Sequence, residues 1–132
     1  MDVLNITKLR TPYTPYNFKF KTIYSEKQRH NECFRIRQLY PDRVPIIVET
    51  CYNSNIPILD KTKYLVPINL TVGQFMYVIR NRLKLSSDKS IYFFINGSIP
   101  CSSSLIFHVY ELYKDETDEF LYILINGENT FG

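Results

Sequence analysis

The most constraining feature of the sequence is a pair of short apolar runs that lie far apart along the chain. Residues 44–51 are rich in β-branched side chains, and residues 120–125 are apolar throughout. A strand with one wet face alternates polar and apolar residues, so continuous runs of this length predict strands with much of both faces buried. We therefore expect the second run to lie at the centre of a sheet.

A strand with two different faces is predicted at residues 63–67. A period of two places Tyr64 and Val66 on one side and the odd-numbered side chains on the other. Pro67 cannot donate to a ladder, so we expect this strand to end a pairing or to lie at a sheet edge. An edge leaves backbone groups free for an extended peptide. The spacing alone also allows the edge to be covered by another part of the chain.

Two capping boxes predict where helices begin. Ser25 with Gln28 opens a helix that should end near Leu39, and Thr71 with Gln74 opens a second one. The second helix has one apolar face, which we expect to pack against the sheet. Its members fall at i, i+3, i+4, i+7 and i+11, and they are Val72, Phe75, Met76, Ile79 and Leu83.

The rest of the chain completes an α+β pattern. Residues 91–95 predict a strand closed by a tight turn, serines 102–104 offer an N-cap for a short helix, and acidic residues 115–119 should return the chain to the surface. The order ββαβ(α)β indicates a β-grasp (ubiquitin-like) fold, a mixed four-stranded sheet with one main helix, preceded by an N-terminal helical extension. Another α+β topology would give a similar pattern.

The chain is divided into one domain and two end segments. A length of 132 residues with 45% hydrophobic content suits a single core. Residues 1–24 form an N-terminal arm or helical extension, whose prolines and weak helical periodicity favour extended backbone. Residues 25–127 form the ubiquitin-like domain with its preceding helix, and residues 128–132 form a flexible tail.

Composition limits the classes of protein to which the chain can belong. The net charge of +3 is modest, and the basic residues of the first third are interpreted as a solvated helix face rather than a phosphate or lipid surface. We expect no nucleic-acid partner, since no binding motif accompanies that charge. The apolar runs are too short to cross a bilayer and no secretory signal is present, so a cytoplasmic location is expected. Those basic residues are Lys19, Lys21, Lys27, Arg29, Arg35, Arg37 and Arg43.

An enzyme would have to pair a cysteine with a histidine. Cys33, Cys51 and Cys101 are odd in number and irregularly spaced, which argues against a disulfide framework. A thiol and His30 or His108 could meet in space, but no catalytic signature surrounds any cysteine. Structural thiols are the favoured interpretation, and we expect no enzyme activity, no cofactor and no metal site.

Several blocks of residues resemble a known family. Residues 40–45 (Tyr-Pro-Asp-Arg-Val-Pro), 59–67 (Leu-Asp-Lys-Thr-Lys-Tyr-Leu-Val-Pro) and 70–75 (Leu-Thr-Val-Gly-Gln-Phe) are similar to hallmark blocks of the autophagy-related ubiquitin-like modifiers, the GABARAP and light-chain-three group. The resemblance continues at 94–96 and 120–123 and covers roughly residues 25–132. The chain departs from the family pattern in its longer arm, in Cys101 and around residues 104–107.

The resemblance implies a peptide-binding site at the edge strand. Family ligands are short motifs with an aromatic residue and, three positions on, an aliphatic one, which add as a β-strand and fill two pockets. The implied aromatic pocket comprises Glu32, Ile36, Pro45, Ile47, Lys63, Leu65 and Phe120. The implied aliphatic pocket comprises Arg43, Tyr64, Val66, Pro67, Leu70, Phe75 and Ile79.

The resemblance also implies a conjugation reaction at the chain end. Gly132 would be adenylated by an activating enzyme, passed as a thioester to a conjugating enzyme and joined to phosphatidylethanolamine. A cysteine protease would process or deconjugate the chain, and cargo receptors or adaptors would bind its edge. Lipidation would place the protein on the membrane of an autophagosome or related organelle. The alternative is an unconjugated adaptor for peptides, or for cytoskeletal or trafficking partners.

Overall fold

The structure, a computed structural model, describes residues 16–51 and 55–127. The helices are α1 (Lys19–Ile23), α2 (Glu26–Leu39), α3 (Val72–Leu83) and α4 (Ile106–Tyr113). The strands are β1 (Arg43–Thr50), β2 (Lys63–Pro67), β3 (Tyr92–Phe94) and β4 (Leu121–Asn126). The first part of the predicted arm and the whole of the predicted tail lie outside the described residues.

The four strands form one mixed sheet in the order β2-β1-β4-β3. β1 pairs antiparallel with β2 and parallel with β4, and β3 pairs antiparallel with β4. The last strand is therefore internal, as its apolar run predicts, and β2 lies at an edge. The observed topology confirms the ubiquitin-like fold predicted from the order of elements.

Alternation along the central strands divides the core into two layers. Ile46 and Ile123 belong to the larger apolar cluster, into which α3 and α4 also pack. Ile47, one residue along β1, belongs to a second cluster with Cys33 and Ile36 of α2. Helices therefore cover both faces of the sheet, which is why β1 and β4 have apolar side chains on both sides.

Both predicted capping boxes are present. Gln28 N donates to Ser25 Oγ at 3.1 Å, and the Gln28 side chain accepts from Ser25 N at 2.8 Å. Thr71 and Gln74 make the same reciprocal pair at the start of α3. Four of the five predicted apolar positions of α3 are buried and Met76 is partly buried, so the periodicity correctly located the packing face.

The predicted serine cap of α4 is wrong. α4 begins after Leu105, which makes no side-chain capping bond, and its first amide, Ile106 N, donates to Leu70 O at 2.8 Å. The serine carbonyls instead accept hydrogen bonds from the first turn of α3. Val72 N donates to Ser104 O and Gly73 N donates to Ser102 O, both at 2.8 Å. The two helix starts thus satisfy each other through backbone groups.

The predicted N-terminal helical extension is present at residues 19–23, which form α1, so the extended backbone that the prolines favoured does not continue through them. The Glu49 carboxylate accepts from Lys19 N at 2.8 Å and from Phe20 N at 2.9 Å, which satisfies two amides at the start of this short helix. The expectation of a fully solvated basic face is also wrong at Arg29, which is buried.

The acidic segment does not simply return to solvent. Asp118 is completely buried, where it accepts hydrogen bonds from Arg29 Nε at 2.8 Å and from Phe120 N at 2.9 Å. A charged side chain is buried at tolerable cost only when it is paired and hydrogen-bonded, and both conditions are met here.

Strand boundaries differ little from prediction, although β3 includes only Tyr92–Phe94.

Candidate peptide-binding site

β2 is one of the two edge strands of the sheet, where another strand could be added. Among residues 16–51 and 55–127, β1 is the strand that pairs with β2, and β2 ends the sheet. Pro45 lies opposite Leu65, and a proline nitrogen cannot donate to its partner strand. Val48 N donates to Thr62 O at 2.9 Å, so the bonded positions of this segment are even-numbered.

This alternation of bonded positions determines which backbone groups of β2 face away from the sheet. Successive residues of a strand direct their N–H and C=O groups to opposite sides. Since the even positions bond to β1, the backbone groups of Lys63 and Leu65 point away from the sheet. Arg43 Nη1 donates to the outward-facing Leu65 O at 3.2 Å. An added strand would therefore form its ladder with Lys63 and Leu65.

Most residues of the implied aromatic pocket lie together on the α2 side of the sheet. Ile36, Ile47 and Phe120 are almost completely buried and form one apolar cluster, against which the half-buried Leu65 packs. Pro45 is also buried, and its position opposite Leu65 places it on the same face.

The remaining two residues of that pocket form an ion pair at its rim. Lys63 Nζ contacts Glu32 Oε2, which also accepts from Arg35 Nη2 at 2.9 Å. Hydrogen bonds from Arg35 and then Lys63 lower the pKa of Glu32 to about 2, despite the opposing effect of burial. Glu32 is therefore ionised at neutral pH, and Lys63 has its ammonium beside the open strand edge.

Most residues of the implied aliphatic pocket lie on the opposite face, beneath α3. Tyr64, Val66, Phe75 and Ile79 belong to the larger core cluster, and Leu70 packs against it from a partly exposed position. The Tyr64 ring makes an edge contact with Phe75 at 5.7 Å between centroids. Tyr64, Val66, Phe75 and Ile79 are each less than 10% exposed, so they form the pocket floor rather than an open wall. Pro67 and Leu70 are half-buried, and Arg43 is exposed. Pro67 and Arg43 lie opposite each other at odd positions of β2 and β1, so they share the face of Leu65 and not that of Tyr64.

A wide groove adjoins the aromatic-pocket side and was not predicted from the sequence. We call it the α1 groove; it has a volume of about 1070 Å³ and lies between α1, α2, the end of β1 and residues 56–63. It shares Glu32 and Lys63 with the implied aromatic pocket. Ile58 is 82% exposed at its wall, but a single isoleucine in a loop carries no sequence signal of a groove.

The thiol and histidine alternative finds little chemical support in the structure. His30 and Cys33 both line a cavity of about 370 Å³ next to Arg37 and Tyr110. Burial raises the pKa of the Cys33 thiol to about 12, so the thiolate needed for nucleophilic attack is scarce at neutral pH. Cys101 is exposed and its Sγ lies 3.1 Å from Ser103 Oγ, while Cys51 is half-buried.

In the described parts of the chain, no helix combines the length and apolar character needed to cross a bilayer. The same residues contain no group of three or more histidine, cysteine or acidic side chains placed to hold a metal ion.

The four-stranded mixed sheet, its covering helices and its open edge define the class of ubiquitin-like proteins. Comparison with known proteins then identifies the family. The family model described as "Autophagy protein Atg8 ubiquitin like" matches residues 28–132. The chain therefore belongs to the Atg8 family and has an autophagy-related role.

Individual relatives agree with this assignment. The chain is 54% identical over 114 residues to autophagy-related protein 8 of Candida albicans, a match that covers 86% of this chain and 84% of the relative. It is 53% identical over 113 residues to autophagy-related protein 8e of Arabidopsis thaliana, covering 86% and 92%. The crystal structure of Trypanosoma brucei ATG8 is similar with a TM-score of 0.81 and 41% identity, covering 89% of this chain and all of that one.

Proposed function

We propose that this protein is a ubiquitin-like modifier that is conjugated through Gly132 to phosphatidylethanolamine and that recruits partners through β2. Gly132 lies outside the described residues, so the conjugation half of the proposal is supported by family membership. The terminal carboxylate would be adenylated with release of pyrophosphate and transferred to a conjugating enzyme's cysteine with release of AMP. The lipid amine would then displace that thiol to form an amide.

The residues that follow the last strand suit this chemistry. β4 ends at Asn126, and residues 128–132 follow as the proposed conjugation tail. A glycine without a Cβ can adopt any backbone conformation in a narrow enzyme cleft. The attached lipid would supply the membrane affinity for an autophagosome or related membrane, and a cysteine protease would remove it.

The binding half of the proposal rests on one observation. The backbone N–H and C=O groups of Lys63 and Leu65 point away from the sheet. An extended peptide could bond to these groups and direct alternate side chains to the two faces of the sheet. On one face an aromatic side chain would meet Leu65 and the apolar cluster beneath it, and on the other an aliphatic side chain would meet Leu70. Lys63 and Arg43 would attract acidic residues that flank the motif, mainly raising the association rate.

A reconstituted lipidation assay tests the conjugation half. We expect incubation with the family's activating and conjugating enzymes, ATP and phosphatidylethanolamine liposomes to yield a lipidated species, detected by intact mass. A chain that ends at Phe131 is the matched control and should yield none. No product from the native chain, with the enzymes active on a control modifier, would leave an unconjugated peptide-binding adaptor as the better description.

A further inference from the structure

The α1 groove is larger than a peptide's single aromatic side chain requires. Its walls come from α1 and α2 on one side and from residues 56–63 on the other, and the end of β1 forms its floor. Two of its apolar side chains are notably exposed, Ile58 at 82% and Ile23 at 67%. An apolar segment laid in this groove would remove both from water, which is favourable.

The chain itself enters the groove at one end. Tyr16, the first described residue, lines the groove, and its hydroxyl donates to Glu49 Oε1 at 3.1 Å. The same carboxylate accepts the amides of Lys19 and Phe20 at the start of α1. These contacts hold the junction between the arm and the domain beside the end of β1.

The residues before this junction have the composition of a groove ligand. The segment 1–15 contains Leu4, Ile6 and Leu9, separated by polar residues such as Asn5 and Thr7. Leu4 and Ile6 are two positions apart, so in extended backbone their side chains would face the same side, whereas Leu9 would face the opposite side.

Segment 1–15 is long enough to extend along the groove. From Tyr16 back to Leu9 is seven residues, or about 23 Å when extended. The groove floor runs from Val48 to Cys51, three residue steps, or about 10 Å.

We propose that the apolar residues of segment 1–15 bind in the α1 groove and compete with motif peptides for the aromatic-pocket side of β2. The competition rests on the proposed peptide-binding function, because Glu32 and Lys63 border both the groove and that pocket. We assign the α1 groove to a segment of the same chain because residues 1–15 join the domain at the end of this groove.

Tethering makes weak binding sufficient. A short tether gives an effective concentration on the order of 1 mM. An arm segment with an intrinsic Kd of about 0.1 mM would then occupy the groove most of the time and weaken a competing peptide about tenfold.

The direct test uses the full chain without any peptide. Carbon-13 methyl spectra would compare the native chain with a Leu4→Ser, Ile6→Ser, Leu9→Ser variant, and with an Asn5→Ser, Thr7→Ser, Thr11→Ser control. Single Ile23→Val and Ile58→Val variants assign the two groove methyl signals. We expect both signals to move in the first variant and to stay in the control. Unchanged signals in the first variant would overturn the proposal.

Calorimetry with an aromatic-x-x-aliphatic peptide tests the competition. We expect the Leu4, Ile6 and Leu9 variant to bind about tenfold more tightly than the native chain and the control to bind equally. Equal affinities, with the peptide moving the Ile58 signal identically in both chains, would assign the groove to the partner and overturn the proposal. A peptide that binds none of the chains would contradict the proposed binding function, while the methyl spectra would still decide whether the arm occupies the groove.

Discussion

Arg29 Nε donates to Asp118 Oδ2 at 2.8 Å across 89 residues of sequence, and both side chains are buried. Asp118 also accepts the Tyr122 hydroxyl at 2.5 Å, and burial together with this hydrogen bond raises the pKa of that phenol. Arg29 Nη1 reaches back to Tyr24 O at 2.7 Å. One ion pair thus joins α2 to the segment before β4 and holds the end of α1.

Loss of the Asp118 carboxylate should be costly because it leaves the Arg29 guanidinium buried without its partner. We expect Asp118→Ala to lower the free energy of unfolding by about 3–5 kcal/mol, measured by urea denaturation. Glu116→Ala, at an exposed position in the same acidic segment, should change it by less than about 0.5 kcal/mol. Equal effects of the two substitutions would contradict the structural role of the pair.

Leu65 is a more suitable position than Tyr64 for testing the proposed peptide site. It is half-buried on the aromatic-pocket side, so Leu65→Ala should weaken an aromatic-x-x-aliphatic peptide by about 1–3 kcal/mol in calorimetry. Leu112→Ala, a leucine that is 75% exposed on α4, is the matched control and should bind normally. Undiminished affinity of the Leu65 variant would remove this residue from the pocket.

Tyr64 is less suitable as a binding probe. Its ring lies in the core against Phe75, and its hydroxyl donates to Lys61 O at 3.0 Å. Truncation there would open a cavity, so weaker peptide binding would not distinguish a lost contact from a destabilised domain.

The Glu32 carboxylate should make stability depend on pH in the acidic range. Its pKa is about 2 in the folded chain against an ordinary value of 4.5, so the unfolded chain binds its proton first as the pH falls. Its stabilising contribution is therefore complete above about pH 5 and is lost progressively toward pH 2. We expect Glu32→Gln to show a smaller loss of unfolding free energy over this window than the native chain.

Urea denaturation at a series of pH values measures that difference. Arg35→Gln provides an independent check, because the hydrogen bond from Arg35 is the largest cause of the lowered Glu32 pKa. This variant should also flatten the acidic slope. A Glu32→Gln curve parallel to that of the native chain would contradict the assigned ion pair.

The sequence by itself determined the features that depend on near neighbours. The capping boxes at Ser25 and Thr71 formed as predicted, because each joins residues three apart. The apolar face of α3 and the alternation of residues 63–67 were also correct, since both follow from backbone periodicity. The continuous apolar run at residues 120–125 likewise predicted an internal strand, which the sheet order confirms.

Only the tertiary structure decided the features that join distant residues. α1 exists where Glu49 accepts its first amides, and Ser102 and Ser104 cap α3 through carbonyls rather than hydroxyls. The sequence cannot signal that a buried Asp118 will meet Arg29, or that Tyr16 will lie at the end of a groove. Such contacts depend on how the sheet and helices pack, because charge and composition describe a residue but not the neighbour that folding brings to it.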